Sequence, residues 1–196
     1  RAGRAAAGPA AVPSALPERP GDARLEAARA WVLDRMGRSP EAVTLLEAAI
    51  AARGGDAAGV PAELHEALSS SLQRAGRAGE AVRLLERAVA DRPRDESLRY
   101  ALGVAHERAG DREAALRAMQ ALLELWPENA EAMNFVGYSW ADRGERLDEA
   151  ERLVTRALEL KPGSAAFLDS LGWIHYQKGG LGRAVAVLSR AEAAAG

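Results

Sequence analysis

Apolar positions between residues 130 and 160 recur at helical spacing in two runs. Met133, Val136, Gly137 and Trp140 fall at i, i+3, i+4 and i+7. Ala150, Leu153, Val154, Ala157 and Leu158 recur at the same spacing beyond a polar break, in which Gly144 lies. Each run predicts one face of an amphipathic helix, and together they predict two helices joined by a tight turn. The rest of the chain repeats this unit. A glycine recurs in the same phase at Gly37, Gly76, Gly110, Gly144 and Gly179, with gaps of 39, 34, 34 and 35 residues. An alanine follows each glycine by five residues (Ala42, Ala81, Ala115 and Ala184) or by six at Ala150, after a one-residue insertion. Seven residues upstream stands a small residue: Ala30, Ser69, Gly103, Gly137 or Gly172. Pro93, Pro127 and Pro162 close three of the units. An alanine-rich chain produces chance matches at alanine, but it does not lock glycine, a small residue and proline to one period.

Each recurring position has a physical reason. Glycine at the end of an apolar run is free to take positive φ and serve as a helix C′ cap. A small residue in mid-helix lets a second helix approach, and proline cannot continue a helix. A pair of such helices buries only part of its apolar surface, so the units must stack. The pattern resembles the tetratricopeptide repeat, W-x2-LG-x2-Y…A-x3-F…P. The residues that carry the resemblance are Met133-x2-Val136-Gly137-x2-Trp140, Ala150-x3-Val154 and Pro162. The following unit gives Leu168-x2-Leu171-Gly172-x2-His175 and Ala184-x3-Leu188. The preceding units give Arg99-x2-Leu102-Gly103-x2-His106 with Ala115-x3-Met119 and Pro127, and His65-x2-Leu68-Ser69-x2-Leu72 with Ala81-x3-Leu85 and Pro93. The resemblance spans roughly residues 23–193. It implies an all-α fold, a right-handed α-solenoid of about five helix–turn–helix units.

The expected organisation is a flexible Ala/Pro/Arg-rich segment at 1–20, a degenerate first unit at 21–56 and a loop insertion at 57–61. Units at 62–95, 96–129, 130–164 and 165–196 follow. In the first unit Ala30, Leu33, Ala42 and Leu46 keep the phase, but Glu26 and Arg29 stand where apolar residues are expected, and Leu25, Ala28, Val32 and Met36 offer a rival face. An end unit with a polar outer side would read this way. The last unit has no closing proline and no helix after it. Its second helix carries Val185, Val187 and Leu188, an apolar face expected either to be continued by further chain or to be covered by another molecule. The chain begins at Arg1 without an initiator Met, which points to a processed product or an excised piece.

Composition narrows the function. With no Cys, neither a disulfide framework nor a cysteine–zinc site can form. A net charge of −2 argues against a nucleic-acid binder driven by phosphate neutralisation. No apolar run reaches the roughly 18–20 residues of a membrane span. Basic residues are nearly all Arg, the lysines being Lys161 and Lys178, as in a GC-rich bacterial genome. Chemistry is scarce. His65-Glu66 and His106-Glu107 begin a zinc-protease pattern but lack the second histidine, since Ser69 and Gly110 occupy that position. Gly179, Gly180 and Gly182 make an interhelical turn without the strand and Lys-Ser/Thr of a phosphate loop. Asp142, Glu145, Asp148 and Glu149 cluster around one turn, where a calcium site is a minor alternative to helix-terminal charge. No catalytic residues, metal or cofactor are expected.

A surface remains. In the family that the chain resembles, the first helix of each unit lines a concave groove that holds peptide or protein ligands. By that resemblance Glu131, Asn134, Tyr138, Ala141 and Asp142 face the groove in one unit, and Ala166, Asp169, Trp173, Tyr176 and Gln177 in the next. Amphipathic aromatics with Asn, Asp and Gln suit recognition; equally, Tyr138 and Trp173 could pack between units. At the last position of this set the earlier units carry Arg35, Arg74 and Arg108, either a basic ladder or simple complements to helix C-termini. The family's carboxylate clamp is not expected, because Ala27, Glu66 and Tyr100 stand where its Lys or Asn would be. The last two units also resemble the C-terminal repeats of bacterial envelope proteins of this class, some of them lipoprotein adaptors, which favours a periplasmic location. The expected function is a non-catalytic scaffold or adaptor holding a partner protein segment, with possible self-association through the last unit. The alternatives are an oligomerisation segment of a larger protein and a regulatory repeat region of an enzyme.

Overall fold

A computed structural model describes residues 21–54 and 59–195. The 1–20 segment and part of the insertion lie outside the described residues. Ten helices follow in order: α1 (Ala23–Arg35), α2 (Ser39–Ala51), α3 (Ala62–Arg74), α4 (Ala78–Asp91), α5 (Glu96–Arg108), α6 (Arg112–Leu125), α7 (Ala130–Asp142), α8 (Leu147–Leu160), α9 (Ala165–Gln177) and α10 (Leu181–Ala195). They form five antiparallel pairs. First helices pack side by side at three of the four junctions, α1 on α3, α3 on α5 and α7 on α9, with α5 and α7 in only slight contact, while no pair of second helices does so comparably. The side formed by the first helices is therefore the inner, concave one.

The phase glycines act as the sequence predicts. Gly37, Gly76, Gly110, Gly144 and Gly179 have φ of 74, 77, 84, 68 and 75°. The residue after each donates its N–H to the carbonyl four places before the glycine, for example Arg38 to Leu33 at 2.9 Å and Glu145 to Trp140 at 2.8 Å. This is the Schellman arrangement, which satisfies orphan carbonyls at a helix end. The prolines act through the residue before them. Arg92, Trp126 and Lys161 are drawn to φ near −130° (−129, −128 and −131°), which ends α4, α6 and α8. Asp95, Asn129 and Ser164 then cap α5, α7 and α9 by accepting N–H groups with their side chains.

The small residues of α5, α7 and α9 stand at close helix approaches. A Cβ at Gly137 would lie 2.6 Å from Val154 Cγ2 and 3.0 Å from the Ala150 carbonyl oxygen. In the first unit the phased face wins: Ala30, Leu33, Ala42 and Leu46 are buried, while Met36 is 48% exposed. Glu26 is neutralised there by Arg53 at 2.7 Å. Of the insertion, Val60 turns inward and is buried with Val43 and Leu64.

The extra residue before α8 is absorbed by Arg146, whose φ of 47° is the only positive value at a non-glycine among the described residues. Its guanidinium lies 3.9 Å from the Trp140 ring centroid and pairs with Glu149. These two contacts oppose the strain of a left-handed residue bearing a side chain.

The last unit requires a correction. Val187 is not on an outer face. It packs inward with Leu168 and Ala191, and the exposed large apolar residues of α10 are Leu181 and Val185. The helix starts at Leu181, so its turn directions place Val187 towards α9.

Candidate functional site

The concave side ends in a cleft of about 600 Å³ between α9 and α10, with α7 contributing one wall. Tyr138, Asp142, Asp169, Trp173 and Tyr176 border it, together with Leu181, Val185 and Leu188 from α10. Trp173 and Tyr176 stack with centroids 5.3 Å apart and planes inclined by 21°. Tyr138 is 43% and Tyr176 52% exposed. Gly172 allows this arrangement, because a Cβ there would meet Leu188 at 2.7 Å. The result is an apolar, aromatic floor with two carboxylates at its edge. Asp142 has a partial counter-charge in Arg112 at 3.5 Å.

Two residues of the expected set have other roles. Gln177 donates from Nε2 to the Ala141 carbonyl at 3.0 Å and so ties α9 to α7. Asn134 is half-buried, and neither residue borders the cleft. Arg35, Arg74 and Arg108 are the last residues of α1, α3 and α5 and are exposed. None of them borders the cleft, so the two halves of the groove differ in character. Arg35 lies 5.8 Å from the ring of Trp31, which is itself 61% exposed. The sequence reading passed over Trp31, although it occupies the repeat position of Tyr138 and Trp173 in α1.

Three of the four residues of the acidic cluster, Asp142, Asp148 and Glu149, pair with cations. Glu149 pairs with Arg146, and Lys178 bridges Asp148 and Glu151 from the next unit. Hydrogen bonding to that ammonium holds both carboxyls below the usual carboxylate range and raises the lysine. Among the described residues no group of three His, Cys, Asp or Glu side chains is placed to hold a metal, and no helix is long and apolar enough to cross a membrane. His65 is buried with Nδ1 3.4 Å from an Arg92 nitrogen. Burial, and then Arg92, lower its pKa below the ordinary histidine value, so it is neutral packing material.

The sequence profile of the tetratricopeptide repeat matches residues 66–111, 100–165 and 141–196, which together make up about two thirds of the chain. The chain belongs to the tetratricopeptide-repeat family. It is 36% identical over 99 residues to the TPR repeat-containing protein PA4667 of Pseudomonas aeruginosa. That match covers 50% of this chain and only 17% of the relative's length. Among solved structures, MamA from Desulfovibrio magneticus superposes with a TM-score of 0.66 at 20% identity, covering 88% of this chain and 94% of that one. A putative kinesin light chain of nearly identical TPR-like repeats from Podosopora anserina gives 0.71 at 19%, covering 90% and 96%. At such identities the likeness speaks for the fold. A tetratricopeptide-repeat solenoid is in general a scaffold for protein–protein interaction.

Sequence reasoning missed that Leu181 and Val185 share a cleft with the aromatic residues of α9. The aromatic residues were read as groove and Val185 as part of an open end, while Leu181 was not singled out. Only the packing of α10 against α9 joins them.

Proposed function

We propose that the chain is a non-catalytic adaptor that holds a segment of a partner protein on its concave side, anchored at the cleft between α9 and α10. The observation that carries this reading is the stacked Trp173–Tyr176 pair, Trp173 half-buried and Tyr176 exposed, lining the cleft beside Tyr138 and an apolar wall. Large aromatics left partly exposed around a concavity are the residue types that dominate binding energy once covered. Asp142 and Asp169 at the edge favour a segment that is apolar with a basic flank. The test is crosslinked affinity capture from the native host with wild type, a Tyr138→Ala/Trp173→Ala double variant and a Thr155→Ala control on the outer surface of α8. The double variant is expected to lose the partner while keeping its helical circular dichroism. Equal capture by all three would remove the groove assignment.

A second reading has its own observation. Leu181 and Val185 are 61% and 64% exposed, which suits self-association through the last unit. Sedimentation of the isolated chain decides it, since a monomer across the micromolar range is incompatible with that reading.

A further inference from the structure

We infer that the solenoid closes at one internal junction, between α5 and α7, and that a hydrogen bond from Ser139 to Glu107 holds the closed form. The repeat supplies the comparison. Three residues before the phase glycine, the first helices carry Asp34, Gln73, Glu107 and Ala141 in successive units. Five residues before it, the first helices that follow them carry Ser71, Ala105, Ser139 and Ile174. At the first junction these positions meet: the buried Ser71 hydroxyl donates to Asp34 Oδ2 at 2.8 Å, and α1 packs on α3. At the last junction the Ala141 carbonyl accepts from Gln177 at 3.0 Å instead, and α7 packs on α9. Between α5 and α7 the sequence again supplies a carboxylate and a serine, Glu107 and Ser139. Here the bond is not made. Glu107 is exposed, Ser139 is half-buried, and the two helices are in only slight contact.

Side-chain bulk holds the two helices apart. Tyr100 and Val104 of α5 lie half-buried against the core of α6 to α9, which Phe135 of α7 also borders. Where α5 has Tyr100, α1 and α3 have Ala27 and Glu66. The buried residues of α5 in this region, Leu98 and Ala105, belong to a separate core shared with α4. The core is divided here, with Tyr100 and Val104 as the wedge. The other ties across the junction are exposed. Asn129 Nδ2 donates to Glu96 at 2.8 Å, Arg143 pairs with Glu113 at 2.5 Å, and Arg112 with Asp142 at 3.5 Å. Such pairs are each worth about 1 kcal/mol or less, and their long side chains follow a small movement. The α6–α7 contact, where Met119, Leu122, Ala132 and Val136 are buried, serves as the axis. Rotation about it brings α5 against α7 and draws Arg74 and Arg108 towards Tyr138. The concave side therefore has two widths, and a ligand touching both halves binds one width better and shifts the balance.

The chain has no Cys, so nitroxide labels attach only where cysteine is introduced. Arg24, Ser97 and Ala166 are exposed and stand at the second position of α1, α5 and α9. Pulsed dipolar electron paramagnetic resonance on the full chain with Arg24→Cys/Ser97→Cys reads across two packed junctions. The same measurement with Ser97→Cys/Ala166→Cys reads across α5–α7. The first pair is expected to give one narrow distance, and the second to give two, the shorter belonging to the closed form. Adding Ser139→Ala is expected to lower the ratio of short to long form about fivefold, the factor for a hydrogen bond of about 1 kcal/mol. Tyr100→Leu, which trims the wedge and keeps its apolar packing, is expected to raise that ratio. Ser71→Ala, which breaks the tie at the first junction, is expected to leave it unchanged. Circular dichroism checks that each variant keeps its helices. Each of three results would overturn the inference: a Ser97–Ala166 distance as single and narrow as the Arg24–Ser97 one, a ratio indifferent to Ser139→Ala, or a ratio that Tyr100→Leu fails to raise.

Discussion

Replacing Gly137 by Ala tests whether the small residue of the repeat is set by helix approach. A Cβ at this position would stand 2.6 Å from Val154 Cγ2 and 3.0 Å from the carbonyl oxygen of Ala150. Neither neighbour can yield cheaply. Valine in a helix is held to one dominant χ1 well, and the carbonyl belongs to the backbone of α8. The strain is therefore relieved only by moving α7 from α8, at the upper end of the roughly 1–3 kcal/mol seen for overpacking. Removing a mid-helix glycine returns about 1 kcal/mol of helix propensity. The net expectation is a loss of about 2 kcal/mol, or a fall of about 4–8 °C in Tm for a chain of this size. Gly103→Ala is the internal comparison. Its Cβ would also meet an atom at 2.6 Å, but that atom is the terminal Cε of Met119. A thioether with three rotatable bonds can swing aside, so the propensity gain roughly cancels the contact. Urea denaturation followed by far-UV circular dichroism ranks the two variants. Adding Val154→Ala to Gly137→Ala should cost less than the sum of the single changes, by about 1 kcal/mol. If Gly137→Ala is as stable as wild type, or less harmful than Gly103→Ala, the stiffness of the opposing residue does not decide the cost and the reasoning fails.

Three further outcomes follow from the same structure. Gly76→Ala meets nothing within 4 Å, yet its φ of 77° should make it less stable by about 1–2 kcal/mol in the same denaturation assay, a cost of backbone strain alone. His65 is held below its ordinary pKa by burial and by Arg92, so below about pH 6.5 the unfolded chain binds more protons than the folded one. Stability from this source should therefore be complete above that pH and decline as pH falls below it; His65→Gln should flatten the decline in the urea midpoint, and an unchanged slope would exclude His65 as its source. The buried Ser71 hydroxyl donates to Asp34 Oδ2 at 2.8 Å across α1 and α3. Ser71→Ala should cost about 1–2 kcal/mol by leaving the carboxylate short of a partner, with less than additive loss when Asp34→Ala is added.

The sequence by itself determined the repeat and most of its mechanics. Glycine at one phase, followed by a break, required a helix end with positive φ, and all five phase glycines have it. The small residues foretold the close approaches at Gly103, Gly137 and Gly172. These features were legible because each depends on local backbone geometry or on a spacing repeated several times. The aromatic residues around the cleft were nominated by the resemblance to the repeat family, which places their register on the groove side.

The tertiary structure decided what periodicity cannot express. The inserted residue before α8 could have been absorbed in several ways, and the outcome at Arg146 depends on Trp140 and Glu149 standing on either side of the turn. Val185 and Val187 look alike in sequence, yet they lie two residues apart on a helix and so face different directions. Only the packing of α10 on α9 buries one and exposes the other. Packing likewise ties Gln177 back to α7 and brings Leu181 and Val185 beside Trp173 and Tyr176. A repeat fixes what each unit does to its own backbone, whereas the surface a partner meets is assembled from side chains of three helices, whose relative placement only the folded stack defines.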